Sequence, residues 1–286
     1  MVYKKIECAP QKKNNNISCL DKKLILKIAK ILNKNDYNID LKNNINKIYN
    51  DISKILKKYG KCNLEKCWRE INLIITNLSI KDIKNLNNSF KPDKPLSWKK
   101  EHNTWLTNLD IDNVLKQYNN KYDDYYYHGA IPVDFDIEVK GSCLLDNLCE
   151  FDINELNNNG KKKISMVFNT DPHNKSGEHW ISLYIDSYGN NLIEQKDKYP
   201  CIYFFDSTGN PPPKEIKDFI KDTQDKSDIV LTYIENDVQH QTGNTECGIY
   251  CLHFLDYMIN EGNFIKYINN KNNDKFMEKY RSIFFI

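Results

Sequence analysis

The chain has 286 residues, 28% of them charged and 40% hydrophobic, with a formal net charge of +2. That length holds one large domain or two modest ones around a sizeable core, and the composition is that of a soluble globular protein. The near-neutral balance gives no bulk drive toward nucleic acid, no run approaches the roughly 20 apolar residues of a membrane span, and the opening MVYKKIECAPQKKNNN has no apolar leader core.

The first ninety or so residues read as helices. Leu24, Ile25, Ile28, Ile31 and Leu32 make one apolar stripe. Leu41, Ile45, Ile48, Tyr49, Ile52, Ile55, Leu56 and Tyr59 make a longer one, ended by Gly60, and Trp68, Ile71, Ile74, Ile75 and Leu78 make a third. The charged faces, with Lys22, Lys23, Lys27, Lys30 and Lys34, read as solvated, a weak nucleic-acid contact being the sharper alternative. Prolines at 92 and 95 interrupt helix, so the boundary falls there: 1–92 is a helical arm domain and 93–286 a core domain.

Nine cysteines, an odd number without a regular framework, read as free thiols in a reducing compartment. Cys62 and Cys67 do not form a CxxC pair, and Cys8, Cys19, Cys143 and Cys149 have no histidines at zinc-finger spacing. No metal and no cofactor is expected.

In the core domain, 106–118 predicts a helix, followed by the aromatic cluster Tyr125-Tyr126-Tyr127-His128, read as packing or as a groove wall. Strands are predicted over 164–169, 180–186, 201–205 and 229–235, with a surface helix over 214–222 and a buried apolar helix over 247–260. This is an α+β pattern, a mixed sheet with a helix packed on it. Turn-rich 171–177 and 209–213 flank two chemically notable positions, His179 before one strand and Asp206 after another.

Gln241 stands six residues ahead of Cys247, which opens the buried helix. A thiol attacks a carbonyl as thiolate, so it needs a base and an electropositive seat, and a helix N-terminus is such a seat. Taken singly, the cysteine reads as core, the histidine as surface, the aspartate as a turn starter and the glutamine as loop. Together, each at the edge of an element, they make a protease set: Asp206 orients His179, His179 takes and returns the proton of Cys247, and Gln241 donates to the oxyanion. Cys251, one turn beyond Cys247, reads as core.

The segments GEHWISLYID, YFFDSTGNPPP and HQTGNTECGIYCL resemble the catalytic core of the adenain and ubiquitin-like-protein protease clan, and within it the polyprotein-processing proteases of African swine fever virus and related large DNA viruses. The resemblance spans about 98–260 and implies a papain-like, adenain-like cysteine protease core preceded by a helical arm. It carries His179, Asp206, Gln241 and Cys247 into the roles given above, and Asn169 and Trp180 into substrate-binding positions beside the groove. Trp105-Leu106-Thr107, with Ile111 and Val114, is similar to the segment lining the far side of that groove. The swine fever enzymes carry asparagine at the acid position; Asp206 returns to the clan's commoner acid.

The resemblance implies an endopeptidase that cleaves after small residues, as Gly-Gly-Xaa, in viral structural polyproteins during virion maturation, located in the viral factory of the host cytoplasm and in the virion. Two other readings stand beside it: an isopeptidase that removes ubiquitin or SUMO from host proteins, and an inactive binding scaffold that keeps the fold. Among adenains DNA assists the protease, which is the analogy behind a nucleic-acid contact of the arm.

Overall fold

The computed structural model describes residues 7–10, 17–139, 141–192 and 198–286, the side chains of 146 and 147 excepted. The stretch 1–16, read above for a leader, lies outside the described residues apart from 7–10. Among the described residues no helix is long and apolar enough to cross a membrane. The chain divides into two compact units, Met1–Asp93 with Ile286, and Lys94–Phe285.

The first unit is helical because its apolar residues recur at helical spacing and its helix starts carry caps. Asp21 accepts the Leu24 N–H to begin α1 (Lys22–Asn33), and Asn44 accepts the Lys47 N–H to begin α2 (Ile45–Tyr59). Gly60 closes α2 by donating its N–H to the Leu56 carbonyl at 2.9 Å. Leu24, Ile28 and Leu32 then bury with Ile48, Ile52 and Leu56 in one core. The third predicted helix is corrected. Trp68 lies in a 3-10 turn (Glu65–Glu70), Ile71 is extended, and only α3 (Asn72–Ile75) follows before Ser79 caps a new helix, α4 (Ile80–Asn87). Of the lysines on the predicted charged face, Lys27 is held by Asp82 at 2.6 Å.

The expectation of free thiols is also corrected. Cys8 pairs with Cys19, Cys62 with Cys67 and Cys143 with Cys149, and Cys201, Cys247 and Cys251 remain free. Local chain reversals bring the paired Cα atoms to 5.0, 5.8 and 6.5 Å, within the span of a bridge, which spacing alone does not reveal.

In the second unit, Thr107 and Asp110 form a capping box at the start of α5 (Asn108–Asn119). Strand β1 (Tyr125–Pro132) follows, then a small ladder of β2 (Glu138–Val139) and β3 (Ser142–Cys143), and the short helices α6 (Asp146–Cys149) and α7 (Ile153–Asn158). Next come β4 (Lys163–Asn169), β5 (Trp180–Asp186), β6 (Cys201–Phe205), α8 (Lys214–Lys226), β7 (Thr232–Glu235) and α9 (Cys247–Ile259). Helices α10 (Phe264–Asn269) and α11 (Asp274–Phe284) end the unit.

Five strands form a mixed sheet in the order β1-β4-β5-β6-β7, with parallel outer pairs and antiparallel inner ones. Strand β6 is buried throughout, as its apolar run implies; β5, whose alternation reads as a half-buried strand, is instead buried along its whole length, Ser182 and Asp186 included. On one face Trp180, Tyr184, Tyr203 and Phe205 pack with α9 and α5; on the other Ile181, Leu183, Ile202 and Phe204 pack with Ile216 and Ile220 of α8. The tyrosine cluster is part of β1, and His128 stacks edge-on against Tyr126 and Phe151, so its role here is packing. Strand β7 starts at Thr232 rather than 229, leaving Val230 exposed.

Candidate active site

The β5–β6 register pairs Ser182 with Phe205, so the residue before β5 and the residue after β6 emerge at the same edge of the sheet. These residues are His179 and Asp206. His179 Nε2 lies 2.7 Å from Asp206 Oδ1, with the two side chains 19% and 5% exposed. Asp206 is itself held: Oδ1 also accepts from the N–H and hydroxyl of Thr208, both at 2.8 Å. Asn236 brackets its backbone, accepting the Asp206 N–H at 2.8 Å and donating to the Asp206 carbonyl at 2.9 Å.

The third group, Cys247, the first residue of α9, lies near enough to His179 to act on its imidazole. That helix is apolar nearly all round and buried along its length, which fixes the thiol, and no side chain caps its N-terminus. The positive helix end therefore acts on Cys247 directly. Burial of His179 works against its charged form, but the hydrogen bond to Asp206 and the nearness of Asp206 and Cys247 outweigh it and raise the imidazole from 6.5 to about 10. The contribution of that charge to stability is full below the unfolded value near 6.5 and is lost as pH rises through about 10.

Gln241 is buried and fixed by the loop that carries the acid. Ser207 Oγ donates to Gln241 Oε1 at 2.7 Å, and the Ser207 carbonyl accepts the N–H groups of His240 and Gln241, each at 2.8 Å. One N–H of the Gln241 amide donates to the Gly243 carbonyl at 2.9 Å, and the other has no acceptor among the described residues. Gly209 has φ +77°, and a Cβ there would lie 2.9 Å from Gln239 N, so glycine lets the acid loop and the glutamine loop touch. The structure therefore brings His179, Asp206, Gln241 and Cys247 to one edge of the sheet.

Asn169 and Trp180, cross-strand partners in β4 and β5, line a cavity of about 410 Å³ with Trp105, Leu106, Asp171 and Gly177. Asn169 Oδ1 accepts the N–H groups of Asp171 and Glu178, bracing the 170–178 loop that leads into His179. The Trp180 indole donates to the Leu106 carbonyl at 2.9 Å, and Leu106 lies so close to Gly248 that a Cβ there would sit 3.1 Å from it. Cys251 is buried behind the site, and burial, then the neighbouring Cys247 charge, push its thiol far up. Among the described residues no three His, Cys, Asp or Glu side chains gather to hold a metal ion.

Sequence reasoning missed the supporting polar residues Ser207, Asn236 and the buried pair Glu246–Arg281. Each acts across 30 or more residues of sequence, and the only local signals were the neighbourhood of Ser207 to Asp206 and of Glu246 to Cys247.

Residues 152–284 match the model of the Ulp1 protease family, C-terminal catalytic domain. The chain is 27% identical over 188 residues to a putative thiol protease of Acanthamoeba polyphaga mimivirus, a match covering 63% of this chain and 56% of that protein's own length. It is 24% identical over 299 residues to the SUMO-1 cysteine protease of a tick isolate of African swine fever virus, covering 98% and 94% of the two chains. The crystal structure of an African swine fever virus protease superposes with a TM-score of 0.67 at 20% identity, covering 99% of this chain and 96% of that one, and so shares the fold.

Proposed function

We propose that the chain, whose residues 152–284 match the Ulp1 protease family, C-terminal catalytic domain, is a viral cysteine endopeptidase that cleaves structural polyproteins after a Gly-Gly pair during particle maturation. Cys247 is the nucleophile and His179 its base and later the acid for the leaving amine. Asp206 orients the imidazole, and Gln241, with the Cys247 N–H, receives the oxyanion. The observation that carries this reading is the Asp206–His179 hydrogen bond standing near Cys247 at a helix start without a side-chain cap. The preference for glycine follows from the crowding beside the thiol, where Trp180 and Leu106 are tied together and Leu106 rests on Gly248. A peptide without side chains at those two positions fits such a passage. The place of action is the viral factory of the host cytoplasm and the virion.

Incubation with a Gly-Gly-Xaa junction peptide and, separately, with a ubiquitin-like modifier fusion tests the reading, with products identified by mass spectrometry under reducing conditions. Cleavage of the junction peptide after the glycine pair supports polyprotein processing. Exclusive turnover of the modifier fusion replaces it by the isopeptidase reading, which the relatives described as SUMO-1 cysteine proteases favour.

Two substitutions probe the roles. Gln241→Ala lowers kcat about a hundredfold with little change in KM, because its donor is needed where negative charge develops. Asp206→Asn retains the oxygen that accepts from His179 and Thr208, so kcat/KM at pH 7 falls only about tenfold, roughly 1.4 kcal/mol of transition-state stabilisation. Without the carboxylate charge the imidazolium is lost at lower pH, and the alkaline limb of the rate profile moves down from near 10.

A further inference from the structure

Arg281, 4% exposed on α11, reaches the residue that caps α9. Its Nε donates to both carboxylate oxygens of Glu246, at 3.1 and 2.9 Å, and its Nη2 donates to one of them at 2.8 Å. The remaining donors go to the carbonyls of Thr104 at 2.9 Å, Asn103 at 3.1 Å and Thr245 at 3.0 Å. Each buried donor of the guanidinium thus grips either the residues just before Cys247 or the segment just before Leu106.

A buried ion pair contributes little net stability over an apolar pair of the same size, since desolvation offsets most of the attraction. A carboxylate immediately before a nucleophilic cysteine is moreover an awkward neighbour. Its negative charge at the start of α9 opposes formation of a thiolate at the next residue. The charged and titratable groups around Cys247 are His179 and Asp206 from the strand tips, Cys251 one turn along, Glu246 at the cap and Arg281 from α11 beyond it.

We infer that Arg281 is a positioning residue for the thiolate: it neutralises the Glu246 carboxylate and turns it away, so that Cys247 ionises beside His179. The same guanidinium fixes 103–104, and with them the Trp105–Leu106 wall of the groove, to the start of the nucleophile helix. This rests on Cys247 being the nucleophile.

The test is the pH dependence of Cys247 alkylation by iodoacetamide, located by mass spectrometry, in the full chain and three variants. Arg281→Gln raises the midpoint of the alkylation curve by about one pH unit, Glu246→Gln lowers it by a similar amount, and the double variant returns to the wild-type midpoint within a few tenths. A merely structural role for the pair does not move the midpoint in opposite directions. Should Arg281→Gln fail to unfold cooperatively on heating, Glu246→Gln and the double variant decide alone. Unmoved midpoints in folded variants, with wild-type Cys247 reactive, overturn this inference and leave the nucleophile in place. An unreactive wild-type Cys247 overturns both.

Discussion

Replacing Cys247 by alanine lowers kcat/KM on a Gly-Gly junction peptide by on the order of a millionfold, to what groove binding and the oxyanion donors achieve by themselves. In the proposed mechanism the sulfur at the start of α9 forms the covalent intermediate, and alanine leaves nothing to attack the carbonyl. Cys251 does not substitute, since it lies a full turn inside α9, away from the helix start, and burial pushes its thiol far up. The substitution removes one buried atom from a helix packed on all sides, so thermal unfolding shifts by a few degrees at most. Peptide turnover is measured beside a melting curve. Retained turnover in a folded Cys247→Ala protein means that another residue is the nucleophile, whereas loss of both says only that the core failed.

His179→Ala lowers kcat/KM by on the order of ten-thousandfold, and the residual activity rises with pH instead of levelling off. In the wild type the imidazole, raised to about 10, is the group placed to take the proton that the thiol gives up. Without it thiolate forms only when solution hydroxide takes the proton, and no group returns a proton to the leaving amine. The double variant Cys247→Ala/His179→Ala is no worse than Cys247→Ala, because groups acting as a unit do not add. Rate profiles from pH 5 to 11 read this out. A flat profile in His179→Ala would assign the proton transfer elsewhere.

The parts of the site that sit on strongly patterned elements were legible in the sequence. Strand β6 begins and ends where its apolar run does, and β5 is apolar apart from the buried Ser182 and Asp186, because burial on both faces favours apolar residues. His179 and Asp206 stand just outside those runs, and Cys247 opens the apolar run of α9, so their positions at element edges could be read directly. Strand β1 was less visible, since a tyrosine run with a histidine carries no contrast between faces even though its burial alternates. The third arm helix was misread because its stripe continues across Ile71, where the backbone is extended. The disulfides and the Glu246–Arg281 pair depend on which chain segments meet in space, and neither periodicity nor spacing contains that.

Strands β5 and β6 are covered on both faces, so the four reacting groups are confined to the rim of the sheet. The loops at that rim, 170–178 and 207–213, flank His179 and Asp206 while contributing no residue to either core cluster. Apart from Gly209 and from Ser207 and Thr208, which hold Gln241 and Asp206, their sequences can be rewritten without disturbing the apolar packing beneath. What the protease accepts as substrate and how well it stays folded are therefore properties that can be tuned separately, which makes the rim the place to engineer a new cleavage sequence.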